Sequence, residues 1–589
     1  MLHADPAAMM LGAYLGVVTL ERDRPAPART AADAVAERLG LAPCAVSSAH
    51  ALFATGPTQS IGGVPADIHI VGPAFSRVPG ESPFIGVVDS NAAPAAFLEA
   101  IEARWGAFVA WTGIEGADAV CIYRDPSARC PCYYRRWGSE LVVASHLPFI
   151  EAFTGRANAI DWTVVEDELL YPDLVGRESA LVGIKEILPG EILHIGPEGV
   201  YHHALWSPAK FIDAAALPSF AQAQDEVAQA VDSACHHWSR QVGPVALTLS
   251  GGLDSSVLAA ALPGLRHAIT LVSGTGSGDE RAFASEVCRH LDLQSHQLDL
   301  SPTDVALSVS SAAQRPRPST RAFTQSLVKH GSAVAQKVGA RAIAYGSGGD
   351  NVFCFLRSAT PASDRMAAQG MGAGYWRTVM EVAAVTECSP FLIARRSLQK
   401  HLGRRRGWTW PRDERLLAPA LLDARTAHPP HPWINEFADL PVGKREHVAA
   451  IMRGLALIDY LDGADGMPVI YPLLSQPVME ACLRQPTWLW YEDGMNRAIA
   501  RRAYAPKLQA RIVQRASKGG FTSLVRSLYL RNLAAIRAML LEGELCARGI
   551  LDRRALEASL ATVPDAGDHL YVRIMRFVDV EAWLAARRG

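Results

Sequence analysis

The sequence predicts two dissimilar halves: an α+β half built as a β sandwich with few helices, followed by an α/β half built on a parallel sheet. Three observations predict this. Short β-prone runs separated by Gly and Pro turns fill the text up to about residue 200. A helical period then takes over from residue 220. Within that helical text, three apolar strand-like runs alternate with helices, the pattern of a parallel sheet. A chain of 589 residues also exceeds what one hydrophobic core organises, so more than one domain is expected.

In the first half the runs come as LGAYLGVVTL (11–20), DIHIVG (67–72), FIGVVDS (84–90), AFVAWTG (107–113), AVCIYRDPSARCPCYY (119–134), ELVVAS (140–145) and GEILHIGPEGVYHH (190–203). Their spacing suits stacked antiparallel strands. The stretch LWSPAKFIDAAALPS (205–219) is the expected boundary, giving domains 1–210 and 211–589. The second half opens with FAQAQDEVAQAVDSACHHWSRQV (220–242), whose apolar residues recur at helical spacing. GPVALTLS (243–250), HAITLVSG (267–274) and RAIAYGSGG (341–349) are the expected strands between helices.

Composition excludes several classes. Hydrophobic residues make up 49% and charged ones 20%, far from a disordered chain. Lys+Arg 57 against Asp+Glu 59 leaves a formal charge of -2, so no global field recruits nucleic acid or a membrane, and any basic site must be local. Ten scattered cysteines make no disulfide framework, and Cys130 and Cys132 lack a second pair at zinc spacing; buried thiols are expected. The N-terminus has no basic n-region, and no uncharged run reaches membrane-spanning length. A soluble, cytoplasmic protein without a transmembrane segment is expected.

The chemistry concentrates in VALTLSGGLDSSVLAAAL (245–262). After an apolar strand, Gly251 and Gly252 let backbone N–H groups approach an anion, and the following helix adds its positive end. This is a phosphate cradle but not a Walker A loop, since the Lys-Ser/Thr ending is missing. A carboxylate beside phosphates requires a cation between them, which makes Asp254 a candidate Mg²⁺ ligand. The alternative is a plain Gly turn with Asp254 and Ser255 capping the helix.

SGGLDSS (250–256) resembles the pyrophosphate-binding loop of the ATP pyrophosphatases, which cleave ATP between the α and β phosphates. Other segments narrow the resemblance to the asparagine-synthetase-like group. RDPSARCPCYY (124–134) and GIKEILPGEILHI (183–195) resemble its glutaminase-like domain; VSGTGSGDERAFASEVCRHL (272–291), YGSGGDNVF (345–353) and RASKGGF (515–521) resemble segments of its synthetase domain. The resemblance implies an Ntn-type glutaminase-like sandwich followed by a PP-loop synthetase domain. In glutamine-dependent members the chain begins Met-Cys-Gly, whereas the best equivalent here, MLGAYLG, offers Met10, Leu11 and Gly12. Leu11 is no nucleophile, so the amine is expected from another source.

YPLLSQPVMEACLRQPTWLW (471–490), GMNRAIARRAY (494–504), RASKGGF and GGDN (348–351), with Asn351 where synthetases often carry Glu, are similar to the lasso peptide cyclases. This resemblance implies an ATP- and Mg²⁺-dependent, AMP-forming amide ligase that closes a macrolactam in a precursor core peptide, working with a leader peptidase and a leader-recognition protein. It implies that Ser250, Gly251, Gly252, Ser255 and Ser256 hold phosphates, that Asp254 and Asp350 carry Mg²⁺, and that Leu249, Val272 and Gly346 line the nucleotide pocket. It makes Lys518 the catalytic cation. Arg501 either contacts phosphate or pairs with a carboxylate. An asparagine-synthetase-like or β-lactam-synthetase-like ligase and a noncatalytic precursor-binding scaffold are the competing readings.

Three other features stand apart. The basic run ARRSLQKHLGRRRGWTWPRDER (394–415), with two tryptophans, is either a receiving surface for an acidic peptide or partner or a solvated face. TAHPPHPW (426–433) reads as a stiff exposed loop rather than a metal site. Cys354 is expected on a helix, in the core.

Overall fold

The computed structural model describes residues 12–20, 27–46, 50–56, 58–61, 68–77, 94–114, 119–156, 159–213, 217–272, 280–319, 321–403, 408–458, 467–516, 522–562 and 568–588. The predicted order of an antiparallel sandwich and then a parallel α/β sheet is the order the chain adopts. Of the predicted runs, FIGVVDS falls outside the described residues. Ala42–Val46, His50–Thr55 and Thr58–Ile61 are further strands that the sequence reading passed over.

Two six-stranded sheets form the first half. Ala13–Thr19 lies inside the first, paired antiparallel with Glu140–Ala144 and His50–Thr55. Val109–Ile114 and Ala119–Arg124 lie inside the second. Alternation does the packing: Tyr14, Val18, Leu52 and Val143 of one sheet share a core with Val109, Trp111, Ile122 and Leu193 of the other. At Gly16 the sheets approach closely, because any Cβ there would overlap the Trp111 ring. The outward alternates, including Leu15, Val17, Phe53 and Val142, pack into the larger core. Helices Pro27–Leu39 and Leu147–Thr154 contact that first sheet.

Helix Phe220–Val242 opens the second half with a full capping box: the Ser219 hydroxyl accepts from the Gln222 N–H, and the Gln222 side chain accepts from the Ser219 N–H. Its buried stripe is Ala223, Val227, Val231, Ala234 and Trp238. The five-stranded parallel sheet runs, from one edge, Gln294–Asp299, His267–Val272, Val245–Thr248, Ala342–Tyr345 and Val469–Ile470. In chain order this is 3-2-1-4-5, so the order reverses between the first and fourth strands. The third and fifth strands were not foreseen. QSHQLD is a polar edge strand, and the fifth has only two residues.

The halves are joined by buried polar contacts. Glu480 accepts two hydrogen bonds from the Arg77 guanidinium at 3.0 and 2.9 Å and one from the Trp206 indole at 2.9 Å. Arg317 reaches Glu168 at 3.0 Å and Glu186 at 3.4 Å, and Glu186 also takes Arg124 at 2.6 Å. Arg129 donates to the Val469 carbonyl at 2.8 Å.

Two sequence expectations are corrected. His431 is buried, not part of an exposed loop: its ring nitrogen accepts from the Trp433 N–H and caps helix Pro432–Asn435, and burial pushes its pKa down to about 3. Cys354 is core, as expected, but follows the short helix Gly349–Val352 with φ 52 rather than lying on it. In the basic run, Trp410 is buried and donates to the Pro172 carbonyl at 3.0 Å, which leaves the charge of that run to helix Pro390–Leu402 and the residues after it. No three His, Cys, Asp or Glu side chains among the described residues group as a metal site. No described helix is long and apolar enough to cross a membrane.

Candidate active site

Parallel strands with helical connections leave a crevice at their carboxyl ends where the strand order reverses. Here the loops leaving Val245–Thr248 and Ala342–Tyr345 meet at that point. Leu249 is fully buried and donates its N–H to the Ile269 carbonyl at 2.8 Å. The chain turns at Gly251, φ 65, where a Cβ would lie 2.5 Å from the Phe283 backbone. Only glycine fits both the angle and the space.

Helix Leu253–Ala261 then starts from Gly252, which offers no capping side chain, and the Ser255 hydroxyl donates to the Gly252 carbonyl at 3.3 Å. The serines stiffen the loop. The Ser250 and Ser255 hydroxyls lie 3.1 Å apart, the Ser250 N–H donates to Ser255 Oγ at 3.2 Å, and the Gly252 N–H donates to Ser250 Oγ at 3.2 Å. Ser256 is fully buried, and its Oγ has no hydrogen-bond partner among the described residues. An orphaned hydroxyl at the positive end of a helix suits an anion.

The second loop closes on the first through small residues. A Cβ on Gly346 would lie 2.9 Å from the Ser255 N, and one on Gly349 would overlap the Asp254 carboxyl carbon. This proximity brings Asp254 and Asp350 together, and a third residue joins them. Arg497 Nη1 lies 3.1 Å from Asp254 Oδ1 and also bonds Asp350 Oδ1. The three side chains are 7%, 11% and 23% exposed for Arg497, Asp254 and Asp350, so the charges are largely withdrawn from water. Arg497 sits at φ 55 between the hairpin Tyr491–Glu492/Met495–Asn496 and helix Ala498–Tyr504, and its guanidinium lies 5.0 Å over the Phe355 ring. Sequence reading missed it. The only signal was a basic residue two positions after Met495 in a segment already singled out.

Arg501 turns its guanidinium to main-chain carbonyls rather than to a carboxylate. Its guanidinium donates to main-chain carbonyls: Asn496 at 2.7 Å, Arg515 at 3.1 Å, and Val513. Burial lowers its pKa to about 10, with Arg497 nearby adding to the fall. It therefore braces the segment 513–515. Arg515, also missed, donates to the Ser250 carbonyl at 3.2 Å and to Glu280 at 3.0 Å, and stacks 4.0 Å over the Phe283 ring. Together they tie the start of RASKGGF to the glycine turn; Lys518 itself lies outside the described residues. So do Met10 and Leu11, whereas Gly12, φ 84, leads directly into the first strand.

Val272 ends its strand buried, with its carbonyl accepting from the Leu300 N–H at 2.9 Å. Asn351 turns away from the acidic pair, donating to the Ala450 carbonyl at 2.6 Å. Thus the structure gathers Ser250 to Ser256, Gly346, Asp254 and Asp350 at one crevice, with Leu249 and Val272 beneath as buried strand ends.

Comparison with known proteins adds the following. No curated protein matches the chain. Among solved structures it is similar to one described as the allosteric regulatory enzyme of purine biosynthesis, at 10% identity over 58% of this chain and 85% of that one, TM-score 0.20. It is also similar to the glutamine phosphoribosylpyrophosphate amidotransferase of B. subtilis complexed with ADP and GMP, at 10% identity over 58% of this chain and 86% of that one, TM-score 0.19. The family model for asparagine synthase matches residues 226–585, which take in the whole parallel sheet and both acidic residues. The match spans well over half of the sequence, so the chain belongs to the asparagine synthase family, whose shared chemistry is ATP-dependent amide ligation.

Proposed function

We propose that this chain is an AMP-forming peptide cyclase, which adenylates an Asp or Glu side chain of a precursor core peptide and joins it to that peptide's own N-terminal amine in a macrolactam. The observation that carries the ligase chemistry is the convergence of Asp254 and Asp350 on one cationic nitrogen beside the Ser250–Ser256 turn. The narrower reading is supported by the resemblance of residues 471–504 and 515–521 to lasso peptide cyclases. Leu11, standing where a glutaminase nucleophile would be, supports an amine that comes from the substrate.

Two carboxylates that reach a single positive atom are a donor set suited to a hard divalent cation. Asp254 and Asp350 would hold Mg²⁺, which when bound neutralises charge on the departing pyrophosphate. The loop amides, the helix terminus and the serine hydroxyls bind the β and γ phosphates. A carboxylate oxygen of the peptide attacks the α phosphorus, and the bond to pyrophosphate breaks. The N-terminal amine then attacks the acyl carbon, AMP leaves with the former carboxylate oxygen, and the amine gives up a proton. Holding both ends of one peptide makes this step intramolecular, worth effective molarities of about 10⁵–10⁸ M. Lys518 acts on charge developing at the phosphate and the tetrahedral centre, and Arg501 and Arg515 position the segment that carries it.

The division into domains 1–210 and 211–589 belongs to this reading, as do a cytoplasmic location, a leader peptidase and a leader-recognition protein as partners, and no nucleic acid. Three outcomes are expected. Gly349→Ala, by displacing the Asp254 carboxylate, weakens binding of Mg²⁺ with a nonhydrolysable ATP analogue about tenfold or more in calorimetric titration. Mass spectrometry of a leader-free core peptide incubated with the protein, Mg²⁺, ATP and the processing protease finds loss of one water and formation of AMP. Lys518→Ala cuts that rate about 10²–10³-fold, the effect of a lost oxyanion contact. An unchanged peptide with no AMP, across core peptides and with active partners, transfers the assignment to a small-substrate amide ligase.

A further inference from the structure

Six of the fourteen exposed large hydrophobic residues among the described residues fall within residues 371–402: Met371, Trp376, Met380, Phe391, Leu398 and Leu402. All but Met371, which lies just before it, belong to one helical hairpin, Ala373–Thr386 and Pro390–Leu402, turned at Glu387, φ 56, and restarted by Ser389, whose hydroxyl accepts from the Leu392 N–H. The Tyr375 hydroxyl meets Ser397 Oγ at 2.9 Å, which fixes the helices antiparallel. That register sets Trp376 beside the end carrying Leu398 and Leu402, and Met380 toward the end carrying Phe391.

The hairpin already has a core. Tyr375, Val379, Val382, Ala383 and Ile393 are its buried apolar residues, and both helices contact helix Thr360–Gln369. Folding therefore gives no reason for the outer residues to be apolar. On that outer side Phe391, Leu398 and Leu402 are spaced as one helical stripe, and Trp376 and Met380 stand one turn apart. Arg377, Arg395 and Arg396 are exposed among them, and the sequence continues into Arg404, Arg405 and Arg406. Of the nearby carboxylates, Glu381 is half-buried and accepts from the Gly494 N–H at 2.5 Å, Glu492 and Asp493 of the adjoining hairpin are paired with Arg502, Glu446 is paired with Lys400, and Glu387 is exposed at the turn. In a chain of net charge -2 this is a local concentration of positive charge around apolar tips.

We infer that this face is a peripheral docking surface for a membrane carrying anionic phospholipid. Helices lying flat with Trp, Phe and Leu toward the acyl boundary, and arginines reaching the headgroups, are the arrangement such a surface binds. Charge selects this occupant over a second copy, whose identical face would set the same arginines against these. Phe391 and Leu402, the most exposed of the six at 80% and 73%, stand near opposite ends of their helix, so the apolar tips are spread along a surface. The inference is independent of the ligase reading.

The test is flotation of the full chain with vesicles of phosphatidylcholine alone or with about 30% phosphatidylglycerol, at low and high salt. Binding at least tenfold stronger to the anionic vesicles, weakening with salt, is expected. Phe391→Ser with Leu402→Ser, and separately Arg395→Glu with Arg396→Glu, each lower it tenfold or more. Val572→Ser, an exposed apolar residue elsewhere, leaves it unchanged, and all variants keep the wild-type melting temperature. No flotation at low salt, or flotation that survives both double substitutions, overturns the inference. Dimerisation or capture of a defined acidic protein that depends on Phe391 and Leu402, without vesicle binding, reassigns the face and likewise overturns it.

Discussion

Arg497→Gln is expected to destabilise the protein by about 3–5 kcal/mol, the range for breaking a buried ion pair from one side. The reason is the sharing of one guanidinium nitrogen by Asp254 and Asp350 in a site largely shut from water. Without that charge the two carboxylates face each other at short range, where like charges repel strongly. The loss shrinks with Mg²⁺ and a nonhydrolysable ATP analogue, since a divalent cation suits the same donor pair. Arg497→Lys keeps the charge without the planar fork and recovers only part of the stability. Thermal melts of the three proteins with and without the cation and nucleotide check this. If Arg497→Gln melts with wild type and gains no extra stabilisation from Mg²⁺ and nucleotide, the bridge has no energetic weight.

Glu480→Ala is expected to uncouple the two halves. Glu480 is 1% exposed and accepts from Arg77 twice, from the Trp206 indole and from Gln476 Nε2 at 2.8 Å. Alanine removes both carboxylate contacts of Arg77 and leaves a buried indole N–H and a cavity. About 3–5 kcal/mol is the expected cost, falling on the contact between segments far apart in the chain. Calorimetry should therefore find two separated transitions in place of one, with protease cleavage rising within residues 205–219. Glu480→Gln retains an acceptor for Trp206 and falls between. A single transition at the wild-type temperature in Glu480→Ala would place the coupling elsewhere, on Arg317 or Arg129.

Much of the architecture was legible because its causes are local. The near-continuous apolar runs LGAYLGVVTL and AFVAWTG mark strands with two buried faces, and apolar residues at helical spacing mark helix Phe220–Val242. The glycine turn was readable too, since a positive φ at Gly251 and an uncapped helix start are properties of the turn itself. Edge position hid the strand Gln294–Asp299, whose six residues carry no apolar run, and brevity hid Val469–Ile470.

The sequence by itself determined the fold class, the glycine turn at residues 250–256 and the two acidic residues, because backbone conformation and residue chemistry at those places depend on near neighbours. Only the tertiary structure decided which charges meet. Arg497 and Arg501 stand in one short basic segment, yet one bridges Asp254 and Asp350 while the other binds carbonyls of the segment 513–515 and Asn496. Their partners are chosen by strand order and by close approaches that glycines at 346 and 349 permit, and burial then makes each choice costly to undo. The same reasoning took His431 out of solvent and left Phe391 in it: a side chain's surroundings come from segments remote in sequence, which no local pattern records.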